Sequence, residues 1–117
     1  MKTFLAVFIG KKEAMEKWNK LPESEQKALS QKGMKAWGQW VEDHSKALVQ
    51  VGCPLGKTKK IDKGGISDFK NEICAYNVVQ AESHEAAAKL FLNHPHFTYF
   101  PGDSVELLEC LPIPTSM

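Results

Sequence analysis

Four histidines and one aspartate supply the side chains of this sequence best suited to moving protons near neutral pH. His96 follows Pro95 in a predicted loop, where it would act as a base or as a hydrogen-bond donor to a substrate; otherwise it is a surface histidine. Asp68 follows Ser67 and two glycines. Its carboxylate could act as a base or orient a histidine, or it could cap a turn through its own backbone. The sequence therefore predicts His96 and Asp68 as the candidate catalytic pair.

The other three histidines favour structural roles. His94 falls in the last turn of a predicted helix, where a cation would face the negative end of the helix dipole. His44 lies on an apolar helical stripe, as a core residue or a ligand contact, and His84 opens a helix in contact with solvent. His94 and His96 form an H-x-H pattern, but no Cys, Asp or Glu next to it completes a ligand set. We predict no metal site.

Aromatic residues could form the wall of a pocket for a flat ligand. Trp37 and Trp40 are three residues apart and so share one face of a predicted helix. That face either packs as core against a sheet or lines a site for a planar small molecule. Tyr76 could present its hydroxyl group from a strand. The predicted ligand-binding set is Trp37, Trp40, Tyr76, Ser67 and His44.

The hydrophobic pattern predicts two helices and four strands that would position these residues. Helices are predicted at 22–45 and 84–93, and strands at 3–9, 57–62, 72–81 and 105–111, with a turn at 53–56. The 57–62 strand is polar and is expected at a sheet edge. The order strand, helix, strand, strand, helix, strand predicts a ferredoxin-like βαββαβ α+β fold, with a four-stranded antiparallel sheet and both helices on one face.

Two predicted strands are apolar on both of their faces. In strand 3–9, Leu5 and Val7 alternate with Phe4, Ala6 and Phe8, and the 72–81 strand behaves in the same way. Helices on one side of the sheet would leave the other side uncovered, and large uncovered apolar surfaces are rare on monomers. A second copy of the chain placed against that side is the simplest cover. The sequence therefore predicts a homodimer.

Composition excludes several other classes of protein. A chain of 117 residues with 43% hydrophobic residues is typical of a single domain, here residues 1–117. A formal net charge of +1 gives no field that would recruit nucleic acid or a membrane surface. Three cysteines without a C-x-x-C pair indicate a reducing compartment. The apolar N-terminal run is too short for a signal peptide. We expect a cytoplasmic protein without a cofactor.

Four short motifs in order carry a resemblance to a known family. They are AWGQW at 36–40, GCPLG at 52–56, GGISD at 64–68, and NHPHF at 93–97 ahead of Ser104-Val105-Glu106. Together they resemble the YCII-related (YciI-like, DGPF-domain) family over nearly the whole chain. The resemblance implies the dimeric α+β barrel superfamily, with a cleft between each sheet and its helices. Some members are suspected enzymes because a His–Asp pair lies in that cleft.

The chain departs from the family pattern at both of the family's characteristic features. The suspected catalytic histidine belongs in the first half of the long helix, and residues 31–40 contain none. Ile66-Ser67-Asp68-Phe69 stands where the Asp-Gly-Pro-Phe motif belongs. Two hypotheses follow. One is a cofactor-free enzyme that performs acid–base chemistry on a small organic substrate; the alternative is a non-catalytic metabolite-binding or protein-interaction module.

Overall fold

The computed structural model describes residues 1–114. This part of the chain forms six strands and four helices. In chain order they are β1 (Lys2–Ile9), α1 (Lys12–Asn19), α2 (Glu23–Asp43), β2 (Leu48–Pro54), β3 (Thr58–Asp62), β4 (Gly65–Phe69), β5 (Ile73–Ala81), α3 (His84–Lys89), α4 (Pro95–Thr98) and β6 (Ser104–Glu109).

The main sheet has four strands in the order β2-β5-β1-β6. Every neighbouring pair is antiparallel, and β1 lies in the interior between β5 and β6. The connections from β1 to β2 and from β5 to β6 each carry helices. This arrangement confirms the predicted ferredoxin-like α+β fold with a four-stranded antiparallel sheet.

The core lies on the helix side of the main sheet. Side chains of a strand alternate between the two faces of a sheet, so every second residue of β1 and β5 points towards the helices. The buried residues follow this period and pack with side chains of α2, of α3 and of the segment after α3. The core cluster is Phe4, Ala6, Phe8, Trp40, Ala75, Val79, Ala87 and Phe91.

The opposite face of the sheet carries the alternate residues of the same strands. In the register of the sheet, Val7 faces Tyr76, and Leu5 faces both Val78 and Leu108. Leu108 is 48% exposed, and the other four are only half-buried. We call these five residues the uncovered face: Leu5, Val7, Tyr76, Val78 and Leu108.

The predicted edge strand at 57–62 is wrong in its position. Residues Thr58–Asp62 do form a strand, but it pairs with β4 in a separate two-stranded sheet. The edge of the main sheet is instead β2, which includes part of the predicted turn at 53–56. Gly52 explains this difference. Gly52 has a positive φ of 75° and lies at an irregularity in the pairing of β2, where a Cβ atom would collide with the Tyr76 carbonyl. The pairing of β2 with β5 resumes at Cys53.

The predicted helix at 84–93 is too long. Helix α3 ends at Lys89, and Asn93 adopts a left-handed conformation with φ of 59° that a helix cannot accommodate. A new helical turn, α4, begins at Pro95 with His94 as its N-cap. His94 therefore stands at the start of one helix and not at the end of another, which corrects its predicted role at a helix C-terminus. None of the helices in residues 1–114 is both long and apolar enough to span a membrane.

Candidate functional site

The candidate site lies where α2 passes close to the segment around α4. Gly33 on α2 makes this approach possible, because a Cβ atom there would stand 2.5 Å from the Phe100 ring and 2.8 Å from the Tyr99 Cβ atom. Gly102 has a similar role, since a Cβ atom would collide with the backbone and ring of His96. The two glycines thus let the histidine segment pack between α2 and the sheet.

His94 is at the centre of an aromatic cluster and is 0% exposed. Its ring centroid lies 4.4 Å from that of Trp37 and 4.6 Å from that of Trp40, both in edge-to-face arrangements. The Phe8 ring of β1 lies 5.0 Å away on the sheet side. The imidazole of His94 is therefore enclosed between α2 and the sheet.

The hydrogen bonds of His94 define which of its nitrogens carries the proton. The backbone N–H of His96 donates to His94 Nδ1 at 3.0 Å, so Nδ1 must hold a lone pair. A neutral imidazole with an unprotonated Nδ1 carries its proton on Nε2. That Nε2 atom is buried and has no hydrogen-bond partner within residues 1–114. The site therefore contains one unpartnered N–H donor among aromatic rings.

Burial lowers the pKa of His94 to about 3 from the ordinary value of 6.5. Loss of hydration is the main cause, because it penalises the charged imidazolium, and the positive forms of His96 and His44 act in the same direction. At neutral pH the His94 side chain is uncharged. This correction matters for function, since His94 cannot serve as the helix-capping cation that its sequence position suggested.

His96 is buried beside His94 and is anchored to the sheet. Its Nε2 donates to the backbone carbonyl of Ile9 at 2.9 Å, and its side of the cluster includes the Phe8 ring at 5.2 Å. Burial lowers the pKa of His96, while hydrogen bonding to the carbonyls of Ile9 and Ser104 opposes the shift. The residue is 3% exposed, so it is not the surface-loop histidine of the alternative interpretation.

Asn77 is a second buried polar group on the helix side of the sheet. It is 1% exposed, and both side-chain atoms, Oδ1 and Nδ2, have no partner in the described chain. Ala75 of β5 pairs with Phe8, and Asn77 follows two residues later on the same face. The Asn77 Cα atom is therefore about 7 Å along β5 from the Ala75 Cα atom. Leaving such groups unpaired costs roughly 1–3 kcal/mol each. A polar residue at an inward position of an apolar strand is the signal that the sequence analysis missed.

Besides His96, three of the predicted site residues belong to this cluster. Trp37 and Trp40 flank His94, and the Trp40 indole N–H also donates to the Leu90 carbonyl at 3.1 Å. His44 lies at the end of α2, with its ring 4.5 Å from that of Trp40 and its Nδ1 2.7 Å from the Trp40 carbonyl oxygen. The predicted wall of two tryptophans is thus in contact with a buried histidine.

The other predicted site residues lie elsewhere in the chain. Ser67 and Asp68 are on β4, and the Asp68 carboxylate is 88% exposed and forms an ion pair with Lys59. Tyr76 points from β5 to the uncovered face, away from the helices. Neither Asp68 nor Tyr76 contacts His96 within one chain, so the catalytic roles of His96 and Asp68 stay predictions.

Two surface grooves border the elements described so far. The larger, about 730 Å³, lies at the base of the β3–β4 hairpin. The smaller, about 340 Å³, lies at the same α2–α4 contact that encloses the histidines, and is lined by Lys32, Lys35, Ala36, Gln39 and Tyr99. Its two lysines give the outer side of this contact a positive charge. Within residues 1–114, no group of three or more His, Cys, Asp or Glu side chains is arranged to hold a metal ion.

The strand order, the antiparallel pairing and the helices on one side define the class: the chain has a ferredoxin-like α+β fold with a four-stranded antiparallel sheet. No protein-family model and no curated protein sequence matches it. Among solved structures it is similar to 5-chloro-2-hydroxyhydroquinone dehydrochlorinase (TftG) from Burkholderia phenoliruptrix AC1100, in complex with 2,5-dihydroxybenzoquinone. The TM-score is 0.52 and the identity 18%, over 90% of this chain and 89% of TftG. A likeness at this identity establishes the fold alone.

Proposed function

We propose that this chain is a YCII-related protein that acts as a homodimer and binds a small, planar, oxygen-bearing organic molecule on the helix side of each sheet. The observation that carries the proposal is the unpartnered Nε2–H of His94, buried among aromatic rings. Buried donors are almost always paired in folded proteins, and an orphaned one at the centre of an aromatic cluster supports a ligand as its partner.

The chemistry of the cluster supports this class of ligand. Trp37 and Trp40 make the surroundings of His94 aromatic, which suits a ring, and the neutral imidazole of His94 has one donor for a carbonyl or phenolate oxygen. The amide of Asn77 adds one donor and one acceptor on the same side of the sheet. TftG, which shares the fold, was solved with 2,5-dihydroxybenzoquinone, a ring that carries oxygen groups.

The low pKa of His94 favours a donor role over a base role. With a pKa of about 3, the side chain holds no extra proton at neutral pH and has little tendency to take one. Its Nε2–H would stabilise negative charge that develops on a ligand oxygen, as preorganised donors do in enzymes. If no group removes a proton from the ligand, the same site is a metabolite-binding site, which is the second candidate function.

The test is a binding panel of planar oxygenated rings, comprising 2,5-dihydroxybenzoquinone, hydroquinone, catechol and benzoate. We expect at least one compound to quench tryptophan fluorescence and raise the melting temperature; at 100 times its Kd, a ligand stabilises by about 2.7 kcal/mol. His94→Phe, which removes the donor but keeps an aromatic ring, should abolish the effect. His84→Phe, at an exposed histidine outside the cluster, should retain it. Binding by no compound, or equal binding by His94→Phe, would contradict the proposal.

Mass spectrometry of the bound compound separates the two candidate functions. An enzyme converts the ligand, so a product with a different mass or an exchanged C–H proton in D₂O is expected after incubation. A binding module returns the ligand unchanged. Both results require the His94 site, so they decide between catalysis and binding without affecting the assignment of the site.

A further inference from the structure

The β3–β4 hairpin, with the residues that flank it at 57–70, stands apart from the rest of the chain; we call this segment the arm. Its two strands pair only with each other, and residues 59–69 are all exposed. The radius of gyration is 16.3 Å, whereas a compact chain of this length has about 13 Å. Two-stranded hairpins are marginally stable in water on their own. The arm is therefore the kind of element that needs a surface to pack on.

One side of the arm carries an uncovered apolar pair. Ile61 and Ile66 face each other across the two strands, and they are 72% and 75% exposed. The other side is partly covered by the arm itself, because the Lys60 ammonium group lies over the Phe69 ring at 5.3 Å. The side with the two isoleucines is the one that lacks a partner.

Charge indicates what that partner is. The arm carries five lysines against two aspartates, whereas the other residues of the chain carry ten lysines against twelve carboxylates. A basic arm and an acidic remainder attract each other between two copies of the same chain. The uncovered face adds an apolar surface, and Glu106 stands on that side of the sheet because it pairs with Val7. A second copy of the chain therefore offers the arm both an apolar surface and acidic side chains.

We infer that the arm of each copy packs its Ile61–Ile66 side on the other copy of the chain, so that each subunit extends its arm over its partner. This inference rests on the homodimer of the proposed function and adds a second contact to it. In a two-fold dimer, the contact occurs twice, because each subunit gives one arm and receives one. The arm also carries Ser67 and Asp68, which therefore leave their own subunit and lie at the partner.

The test compares Ile61→Thr/Ile66→Thr with Leu92→Thr. Threonine keeps a β-branched side chain, so the hairpin retains its strand preference but loses apolar surface. Leu92 is a matched control, since it is 70% exposed but lies after α3, outside both the arm and the uncovered face. Sedimentation equilibrium over a dilution series gives the dimer Kd of each protein. We expect about a 100-fold weaker dimer for the double variant and no change for the control.

Hydrogen exchange on the unaltered protein gives a second readout that needs no substitution. Amides of β3 and β4 should exchange more slowly at concentrations where the dimer is populated than after dilution to monomer. The arm contact would be contradicted, and the homodimer left intact, if the double variant had an unchanged dimer Kd and the exchange rates of the β3 and β4 amides did not depend on protein concentration. A monomer at all concentrations would overturn both.

Discussion

Acidification should destabilise the protein, because the His94 imidazole can take up a proton freely only after unfolding. Its pKa is about 3 in the folded chain, against an ordinary value of 6.5. Between these two values the unfolded state binds more protons than the folded state, so the free energy of unfolding falls as the pH falls. At pH 5, proton uptake at His94 favours the unfolded state by about 2 kcal/mol relative to pH 8. This loss of about 2 kcal/mol is set by the pKa of 6.5 in the unfolded state, and it is the same for any pKa of the folded state well below 5.

Urea denaturation at pH 8 and pH 5, at one fixed protein concentration, measures this loss. The variant His94→Asn is the informative comparison, since asparagine also caps a helix N-terminus but does not titrate. Burial lowers the pKa of His96 as well, which adds to the loss in both proteins. The unaltered protein should therefore lose about 2 kcal/mol more than His94→Asn over this range. Equal losses in the two proteins would refute the buried neutral His94.

Two further predictions concern the packing around the site. Gly33→Ala should destabilise by about 1–3 kcal/mol, because its Cβ would stand 2.5 Å from the Phe100 ring, whereas Gly38→Ala on the same helix, with no atom within 4 Å, should stabilise by about 0.5–1 kcal/mol. Paired thermal melts check the difference in sign. Trp40→Phe should cost about 1–3 kcal/mol in urea denaturation, since it leaves the Leu90 carbonyl without its indole donor. An unchanged urea midpoint would show that this hydrogen bond is unimportant.

Much of the main sheet could be predicted from local alternation. β1 and β5 carry apolar residues on both faces, and this alternation predicts strands that are covered on two sides. The order of strands and helices predicts both helices on one face of the sheet. Only the first strand of the arm, at 57–62, could be predicted, because the segment from Ile66 to Phe69 reads as a loop in isolation. Its strand character depends on pairing with Thr58–Asp62, which sequence periodicity does not report.

The candidate site was predicted in part. The spacing of Trp37 and Trp40 correctly predicted a shared face. The environment of His94 could not be predicted, because the dipole argument assumed that the helix continues to Asn93, whose left-handed backbone instead ends the turn and starts another helix. Whether a histidine is charged depends on its burial, which arises from tertiary packing of α2 against the sheet. Asn77 was detectable as a polar residue within an apolar register.

Nitrogen NMR of the His94 side chain tests the central claim most directly. Long-range ¹H–¹⁵N spectra distinguish a protonated ring nitrogen from an unprotonated one. We predict a neutral imidazole with the proton on Nε2 from pH 7 down to pH 4, and an Nε2 resonance that shifts when a ring compound from the panel binds. An imidazolium at pH 6, or a neutral ring with its proton on Nδ1, would contradict the account.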